Sequence, residues 1–175
     1  MRLLKWHRRS FTVLWLRGLI FTALVPFAVG YLVPQDLRGA AGVAPGLWQA
    51  GYVLAAAGTA LYLWCLVCFL LAGGTPAIFF TRHLSFLLGK EPPDVVRKGP
   101  YRFSRNPMYV AVAAAIFGQA LLYRSLRLFL YGVSVALAFH LVVVLIEEPH
   151  LRKTRGPGYA AYLRSVPRWL GRLRS

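Results

Sequence analysis

The sequence predicts an all-α integral membrane protein, a bundle of four transmembrane helices with interfacial helices on its cytoplasmic side. Of its 175 residues, 58% are hydrophobic and 15% are charged, and the mean hydropathy is +0.54. A soluble domain carries about 25% charged residues, so the composition argues against a soluble globule. The aromatic fraction of 14% is too high for a disordered chain. The apolar residues also fall into separate blocks close to the roughly 20 residues that cross a bilayer.

Four apolar segments are predicted to span the membrane, at residues 11–33, 47–72, 107–123 and 126–146. The first contains Arg17 near its start, from where a long side chain can reach the headgroup region. The second has no charged residue, and the fourth has Arg127 at its start and is otherwise uncharged unless His140 is protonated. With the loop at 73–106 and the tail at 147–175, the spans are expected to form a single domain over residues 1–175.

The segments between and after the spans are predicted to lie at the membrane surface. The loop opens with the breaker cluster Gly73-Gly74-Thr75-Pro76. The apolar run at 77–88 is too short to cross a bilayer, so it is expected to form a re-entrant or interfacial helix. The tail is expected to form short interfacial helices broken at Gly156-Pro157-Gly158.

The charge distribution predicts the orientation of the chain. Lys and Arg number 21 against 5 Asp and Glu, a formal net charge of +16. Apart from Arg17, 17 basic residues fall in the two termini and the 73–106 loop, and 3 fall in the other two connections. The positive-inside rule predicts that both termini and that loop are cytoplasmic, and the protein is expected to lie in a prokaryotic inner membrane. Basic residues in these positions bind anionic lipid headgroups. No nucleic-acid partner is expected, because the sequence has no recognition motif.

Two other features are expected to carry no function. Cys65 and Cys68 form a CxxC pair inside the second span, without the two further ligands of a zinc site or the soluble βαβ unit of a redox motif. No metal is therefore expected. The basic N-terminus is followed by an apolar segment that is too long for a cleavable signal peptide and lacks a small-residue cleavage site.

Glu147 and Glu148 stand together at the end of the fourth span. A helix C-terminus already carries the negative end of the helix dipole, so two carboxylates there favour a positive partner. The partner could be a ligand. It could also be Arg152 or Lys153, one helical turn later on the same face.

Asn106-Pro107 opens the third span on the same side of the membrane. Asn is a favourable N-cap and Pro suits the first helical position, and a helix N-terminus binds anions. Arg105 and Tyr109 stand beside it. Because the third span begins and the fourth ends at one surface, a zwitterionic ligand would fit between the helix start and the glutamates.

Two stretches of the chain resemble a known signature. Gly99-Pro-Tyr-Arg-Phe-Ser-Arg-Asn-Pro-Met-Tyr109 is similar to the GPYxxxRHPxY motif of isoprenylcysteine carboxyl methyltransferases and their prokaryotic relatives. Glu147-Glu-Pro-His-Leu151, with Gly156, Tyr159, Tyr162 and Val166-Pro-Arg-Trp169, resembles the C-terminal EExxL…G..Y..Y…VPRW pattern of that superfamily. The resemblance covers residues 95–169 in order and with matching spacings.

The resemblance implies an integral-membrane methyltransferase that uses S-adenosyl-L-methionine and methylates a lipophilic acceptor from the bilayer. By position, the residues implied to line the cofactor pocket are Pro93, Asp94, Val95, Val96, Gly99, Tyr101, Asn106, Pro107, Met108, Tyr109 and Glu148.

The catalytic candidates depend on the acceptor. An amine acceptor needs a base, for which Glu147 or His140 is a candidate, since His140 lies two helical turns before Glu147. A carboxylate acceptor would instead pair with a cation such as Arg105.

Two departures from the signature bear on the acceptor. Asn106 replaces the usual His of the signature, and NPMY and EEP also occur in phosphatidylethanolamine N-methyltransferases. Val144 stands where the isoprenylcysteine enzymes place a substrate-binding Arg. A phospholipid N-methyltransferase is therefore the alternative enzyme, and a non-enzymatic basic membrane protein that binds anionic lipids is the alternative of another class.

Overall fold

The computed structural model describes residues 28–37, 46, 48–72 and 95–170, and within these ranges every regular element is helical. We number the α-helices α1 to α5, in the order Val33–Leu37, Trp48–Leu71, Pro107–Leu122, Leu126–Val142 and Glu148–Ser165. A π-helical turn at Ala28–Leu32 precedes α1, a 3₁₀ turn at Gly99–Arg102 precedes α3, and a π-helical turn at Val143–Glu147 joins α4 to α5.

Two described helices are long and apolar enough to cross a membrane. They are α2 and the continuous helix Leu126–Ser165, whereas α3 is a shorter apolar helix of 16 residues. Large apolar side chains on their outer faces are exposed, among them Val53, Leu137 and Leu145, as expected of faces that lipid covers. Most of the predicted first span and residues 73–94 lie outside the described residues, so the four-span bundle remains in part a prediction.

Helices α2 and α3 pack through small residues. A Cβ atom on Gly58 would lie 2.7 Å from the Ala111 carbonyl oxygen, and one on Gly118 would overlap the backbone of Ala55. Glycine at these positions lets the two backbones approach closely, as is typical of helix pairs in membranes. The packing fixes the start of α3, and with it the site, relative to α2.

The start of α3 differs from the expectation in one respect. Pro107 occupies the first helical position as predicted, but Asn106 makes no side-chain capping hydrogen bond. The Asn106 amide donates instead to the Arg168 carbonyl oxygen, at 3.0 Å. A tertiary contact has taken over the side chain that local sequence assigned to the cap.

The C-terminal part of the chain begins where α4 passes into α5. The π-helical turn at Val143–Glu147 inserts extra backbone there, which changes the direction in which the following side chains point. α5 is kinked at Gly156, whose φ of 55° and ψ of −139° are readily adopted only by glycine. The predicted break in the tail is thus observed at Gly156.

Candidate functional site

Glu148 is the centre of a buried ion-pair cluster. The residue is only 5% exposed. Arg105 Nη1 donates to Oε1 at 2.9 Å, and Arg168 donates from Nε to Oε1 at 2.8 Å and from Nη2 to Oε2 at 3.0 Å. The two guanidinium groups come from the segment before α3 and from the segment after α5. One carboxylate therefore connects three parts of the chain.

The charges around Glu148 keep its carboxylate ionised. Burial alone would raise the pKa, but the hydrogen bond from Arg168 and the positive charges of Arg105, Arg168 and Arg152 outweigh burial, so the pKa of Glu148 is lowered. Arg152 contributes only through its charge. The sequence alternative, a helical pair between Glu148 and Arg152 or Lys153, is therefore wrong for Glu148. The ion-paired partners lie 43 and 20 residues away in the chain, beyond the reach of helical spacing.

The segment that carries Arg168 is tied to the start of α3 by backbone contacts. The Arg105 N–H donates to the Pro167 carbonyl oxygen at 2.9 Å. The Arg168 carbonyl oxygen accepts from Asn106 Nδ2 at 3.0 Å and from Ser104 Oγ at 3.3 Å. Sequence reasoning assigned no role to Arg168 or Ser104. Arg168 lies in the VPRW part of the C-terminal pattern, which was the one available signal.

Glu147 takes a different partner from its neighbour. The Tyr109 hydroxyl donates a hydrogen bond to Glu147 Oε1, and the Tyr109 ring packs on Phe139 with 4.5 Å between ring centroids. Because Tyr109 lies in the first turn of α3 and Arg105 lies just before that helix, both glutamates contact the start of α3, as the sequence predicted. Among the described contacts, Glu148 is thus paired with two arginines, whereas Glu147 accepts from a tyrosine hydroxyl.

An apolar cavity of about 450 Å³ adjoins this polar region. Tyr109 belongs to both, because it lines the cavity and its hydroxyl donates to Glu147. Trp169, next to Arg168, also lines the cavity, and its indole Nε1–H donates to His140 Nδ1 at 3.2 Å. The remaining lining residues are Leu54, Val110, Ala113, Ala114, Phe117, Ala136 and Phe139. Volumes of about 300–1,000 Å³ are usual for ligand pockets.

Other predicted pocket residues contact a small hydrophobic core formed by α5 and the segment after it. Val95 packs on a core of Tyr159, Tyr162 and Val166, and the Tyr162 hydroxyl donates to the Tyr101 carbonyl oxygen at 2.7 Å. Burial, followed by the charge of Glu148, raises the pKa of Tyr159. Tyr159 therefore belongs to this hydrophobic core and also lies within electrostatic reach of the ion-pair cluster.

The remaining predicted residues differ in burial and conformation. Gly99 adopts φ +58°, and a Cβ atom there would lie 2.9 Å from Cys68 Sγ, so only glycine fits. Pro107 is buried, and Val96 and Met108 are half-buried. Pro93 and Asp94 lie outside the described residues.

Comparison with known proteins identifies the family. Residues 50–157 match the phospholipid methyltransferase family. A phosphatidylethanolamine N-methyltransferase of Schizosaccharomyces pombe is 32% identical over 71 residues, 41% of this chain and 8% of that protein. Phosphatidylethanolamine N-methyltransferase B of Dictyostelium discoideum is 35% identical over 57 residues, 33% of this chain and 28% of that protein.

A third relative bears a different kind of name. The nickel-cobalt-cadmium resistance protein NccN of Alcaligenes xylosoxydans xylosoxydans is 31% identical over 90 residues, 50% of this chain and 41% of that protein. The chain therefore spans less than half the length of these curated relatives, and no solved structure matches it. Since the matched region covers more than half of the chain and includes the Asn106–Tyr109 and Glu147–Glu148 sites, the chain belongs to the phospholipid methyltransferase family.

Proposed function

We propose that this protein transfers a methyl group from S-adenosyl-L-methionine to a lipophilic acceptor that enters from the bilayer. One observation carries the proposal: the charged cluster around Glu147 and Glu148 shares Tyr109 with an apolar cavity. A polar cofactor and an apolar acceptor need two such compartments in contact. Membership of the phospholipid methyltransferase family supports the same reaction.

The residues at the cluster fit the charges of the cofactor. S-adenosyl-L-methionine carries a carboxylate, an ammonium and a sulfonium, and the site offers Arg105, Arg168 and the start of α3 for an anion and two carboxylates for cations. Glu148 is occupied by both arginines. The Arg168 side chain is 35% exposed, against 11% for Arg105, so Arg168 is the group that can swing away when an ammonium approaches Glu148.

The roles of the chain's own residues follow from their positions. The cofactor, when bound, supplies the methyl group, and the protein holds the acceptor atom in line with it, which is a large part of the rate gain. An amine acceptor loses a proton, and Glu147, bonded to a cavity-lining tyrosine, is the carboxylate placed to accept it. Arg105 is bonded to Glu148, so its action on a carboxylate acceptor would require that bond to be shared.

The acceptor has two candidate classes. An isoprenylcysteine-like lipid is our first proposal, on the resemblance of the two motifs. A phosphatidylethanolamine-type phospholipid is the alternative, because two relatives are named for methylating phosphatidylethanolamine. Glu147 as a base favours the amine, and the apolar lining of the cavity of about 450 Å³ suits the lipid chain of either acceptor.

The membrane arrangement belongs to the same proposal. We propose a single domain of four spans with both termini cytoplasmic, in which the basic loop and tail hold anionic lipid. Two apolar helices of sufficient length in the described residues, and the distribution of Lys and Arg, support this arrangement.

Methyl transfer is tested with S-adenosyl-L-methionine carrying a labelled methyl group, added to membranes from cells with and without the protein. We expect label in extracted lipid with the wild type and a large loss with Glu147→Gln. Asp36→Asn, an exposed carboxylate outside the site, is the matched control and should retain labelling. Equal labelling with and without the protein would reject the enzyme and favour a non-enzymatic lipid-binding protein.

A further inference from the structure

A hydrogen bond between two residues that line the apolar cavity, His140 and Trp169, determines which nitrogen of the histidine ring carries the proton. His140 on α4 and Trp169 after α5 both line the cavity, with 6.1 Å between their ring centroids. Indole Nε1 can only donate, and it does so to His140 Nδ1 at 3.2 Å. His140 Nδ1 is therefore an acceptor in this structure and carries no proton.

The other ring nitrogen must then carry the proton. An imidazole that accepts at Nδ1 is neutral, because the charged ring has a proton on both nitrogens, and its single proton lies on Nε2. His140 consequently presents an N–H donor at Nε2. To act as a base it would have to give up the Trp169 hydrogen bond first.

In the part of the chain that the structure describes, the surroundings of His140 leave this N–H donor available to a ligand. Within the described residues, no side chain or backbone group bonds to His140 Nε2. The other polar groups of the cavity are engaged, the Tyr109 hydroxyl with Glu147 and the Trp169 indole with His140 itself. The remaining lining residues are apolar.

We infer that His140 is a positioning residue that donates a hydrogen bond from Nε2 to an oxygen atom on the lipophilic acceptor, with Trp169 holding the ring in the donor form. The inference rests on the proposed function for the identity of the acceptor. The acceptor would then have an apolar chain and a headgroup that carries a carboxylate, phosphate or carbonyl oxygen. Glu147 remains the base for an amine acceptor.

Binding of defined probes tests the ligand chemistry. Cis-parinaric acid, a fluorescent fatty acid, is bound to detergent-purified protein and displaced by dodecyl phosphate, dodecyl acetate, dodecylammonium or dodecane. We expect the two oxygen-bearing competitors to bind about ten-fold more tightly than dodecane, the usual effect of one good hydrogen bond. Tighter binding by dodecylammonium, or equal binding by dodecane, would overturn the inference. Tighter binding of dodecyl phosphate than of dodecyl acetate would indicate an anionic headgroup on the acceptor. Equal binding of the two would indicate an uncharged oxygen, and either result agrees with the donor role of His140.

Matched variants separate a donor from a base and from a packing residue. His140→Gln keeps an N–H donor near the position of Nε2 and cannot act as a base, whereas His140→Leu removes the donor. We expect His140→Gln to keep probe affinity within about three-fold and His140→Leu to lose about ten-fold. Equal loss in both variants, at unchanged melting temperature, contradicts the donor role.

The protonation state is read directly in the intact protein. Selective ¹⁵N labelling of histidine gives signals from four residues, and the signal missing in His140→Gln belongs to His140. We expect an unprotonated Nδ1 and a protonated Nε2 in the wild type, and a mixture of the two neutral forms in Trp169→Phe. A proton on Nδ1 in the wild type would overturn the inference.

Cofactor binding is measured in the same samples to keep the two proposals apart. If the wild type binds no S-adenosylhomocysteine, the proposed function fails, whatever the histidine signals show. If it binds S-adenosylhomocysteine but His140 shows the wrong proton position, only the inference about His140 fails.

Discussion

Arg168 and Glu148 form a two-point ion pair, with Nε 2.8 Å from Oε1 and Nη2 3.0 Å from Oε2. The guanidinium plane matches the carboxylate, which is the geometry that Arg provides and Lys does not. The pair fixes the segment after α5 against the start of α5. Through the Arg168 carbonyl oxygen, the same segment holds Asn106 at the start of α3.

Replacing Arg168 should therefore destabilise the protein. Arg168→Met leaves Glu148 buried, with Arg105 as its one remaining ion-paired partner among the described residues. A fully buried pair costs about 3–5 kcal/mol to break. Because Arg168 is 35% exposed, we expect a smaller loss, about 1–2 kcal/mol once solvent screening is allowed for. Thermal unfolding in detergent measures the loss, with Arg164→Met, an exposed residue near the end of α5, as control. Equal melting temperatures for the two variants would contradict a structural role for the pair.

The lowered pKa of Glu148 gives a stability that depends on pH. The pKa of glutamate in an unfolded chain is about 4.3, and the pKa of Glu148 in the folded protein lies lower. The stabilisation is therefore complete above the unfolded pKa and is lost as the pH falls through the folded pKa. We expect the melting temperature of the wild type to exceed that of Glu148→Gln at pH 7 and the difference to shrink below about pH 4. If the difference in melting temperature stayed constant between pH 7 and pH 3, the ion pair of Glu148 would not be its cause.

The close contact of α2 and α3 predicts a strong effect at Gly118. An added methyl group would overlap the backbone of Ala55, so Gly118→Ala must push the helices apart. We expect a loss of about 1–3 kcal/mol, the usual range for overpacking. Gly30→Ala, whose Cβ atom meets nothing within 4 Å, is the control. A Gly118→Ala variant as stable as the wild type would mean that the two helices are not packed this closely.

Local sequence predicted part of this site and missed the rest for identifiable reasons. The placement of Asn106–Tyr109 at a helix start was correctly predicted, because Pro107 marks that start. The dipole argument for Glu147 and Glu148 was wrong, because the end of the apolar block is not a helix end: the helix continues through the π-helical turn to Ser165. The partner Arg168 could not be predicted, because the chain must turn back after α5 and no periodicity records that turn. The assignment of Asn106 to a capping bond failed for the same reason, since the Arg168 carbonyl oxygen competes for its amide.

The relation between His140 and Glu147 shows a second limit. A regular helix would place residues seven apart on one face, but the π-helical turn at Val143–Glu147 lies between them and breaks that period. Both residues nevertheless contact side chains that line the cavity, because His140 accepts from Trp169 and Glu147 accepts from Tyr109. These tertiary contacts cannot be predicted from the spacing of the two residues in the sequence.

The proposed orientation is tested by reporters at the C-terminus. Because 17 basic residues fall in the segments proposed to be cytoplasmic and 3 in the other connections, a C-terminal green fluorescent protein fusion in bacteria should fluoresce. A C-terminal alkaline phosphatase fusion should be inactive. The reverse pattern would place the tail and the Glu148 cluster outside the cytoplasm, away from the supply of cofactor.

Binding of S-adenosylhomocysteine, measured by calorimetric titration of the detergent-purified protein, tests the central claim most directly. We expect binding by the wild type and a stabilisation of about 2.7 kcal/mol at 100 times the dissociation constant. Loss of one charge-assisted hydrogen bond should lower the affinity of Glu148→Gln by roughly ten- to a hundred-fold. No heat at millimolar ligand, from wild-type protein whose circular dichroism shows intact helices, would contradict the methyltransferase proposal.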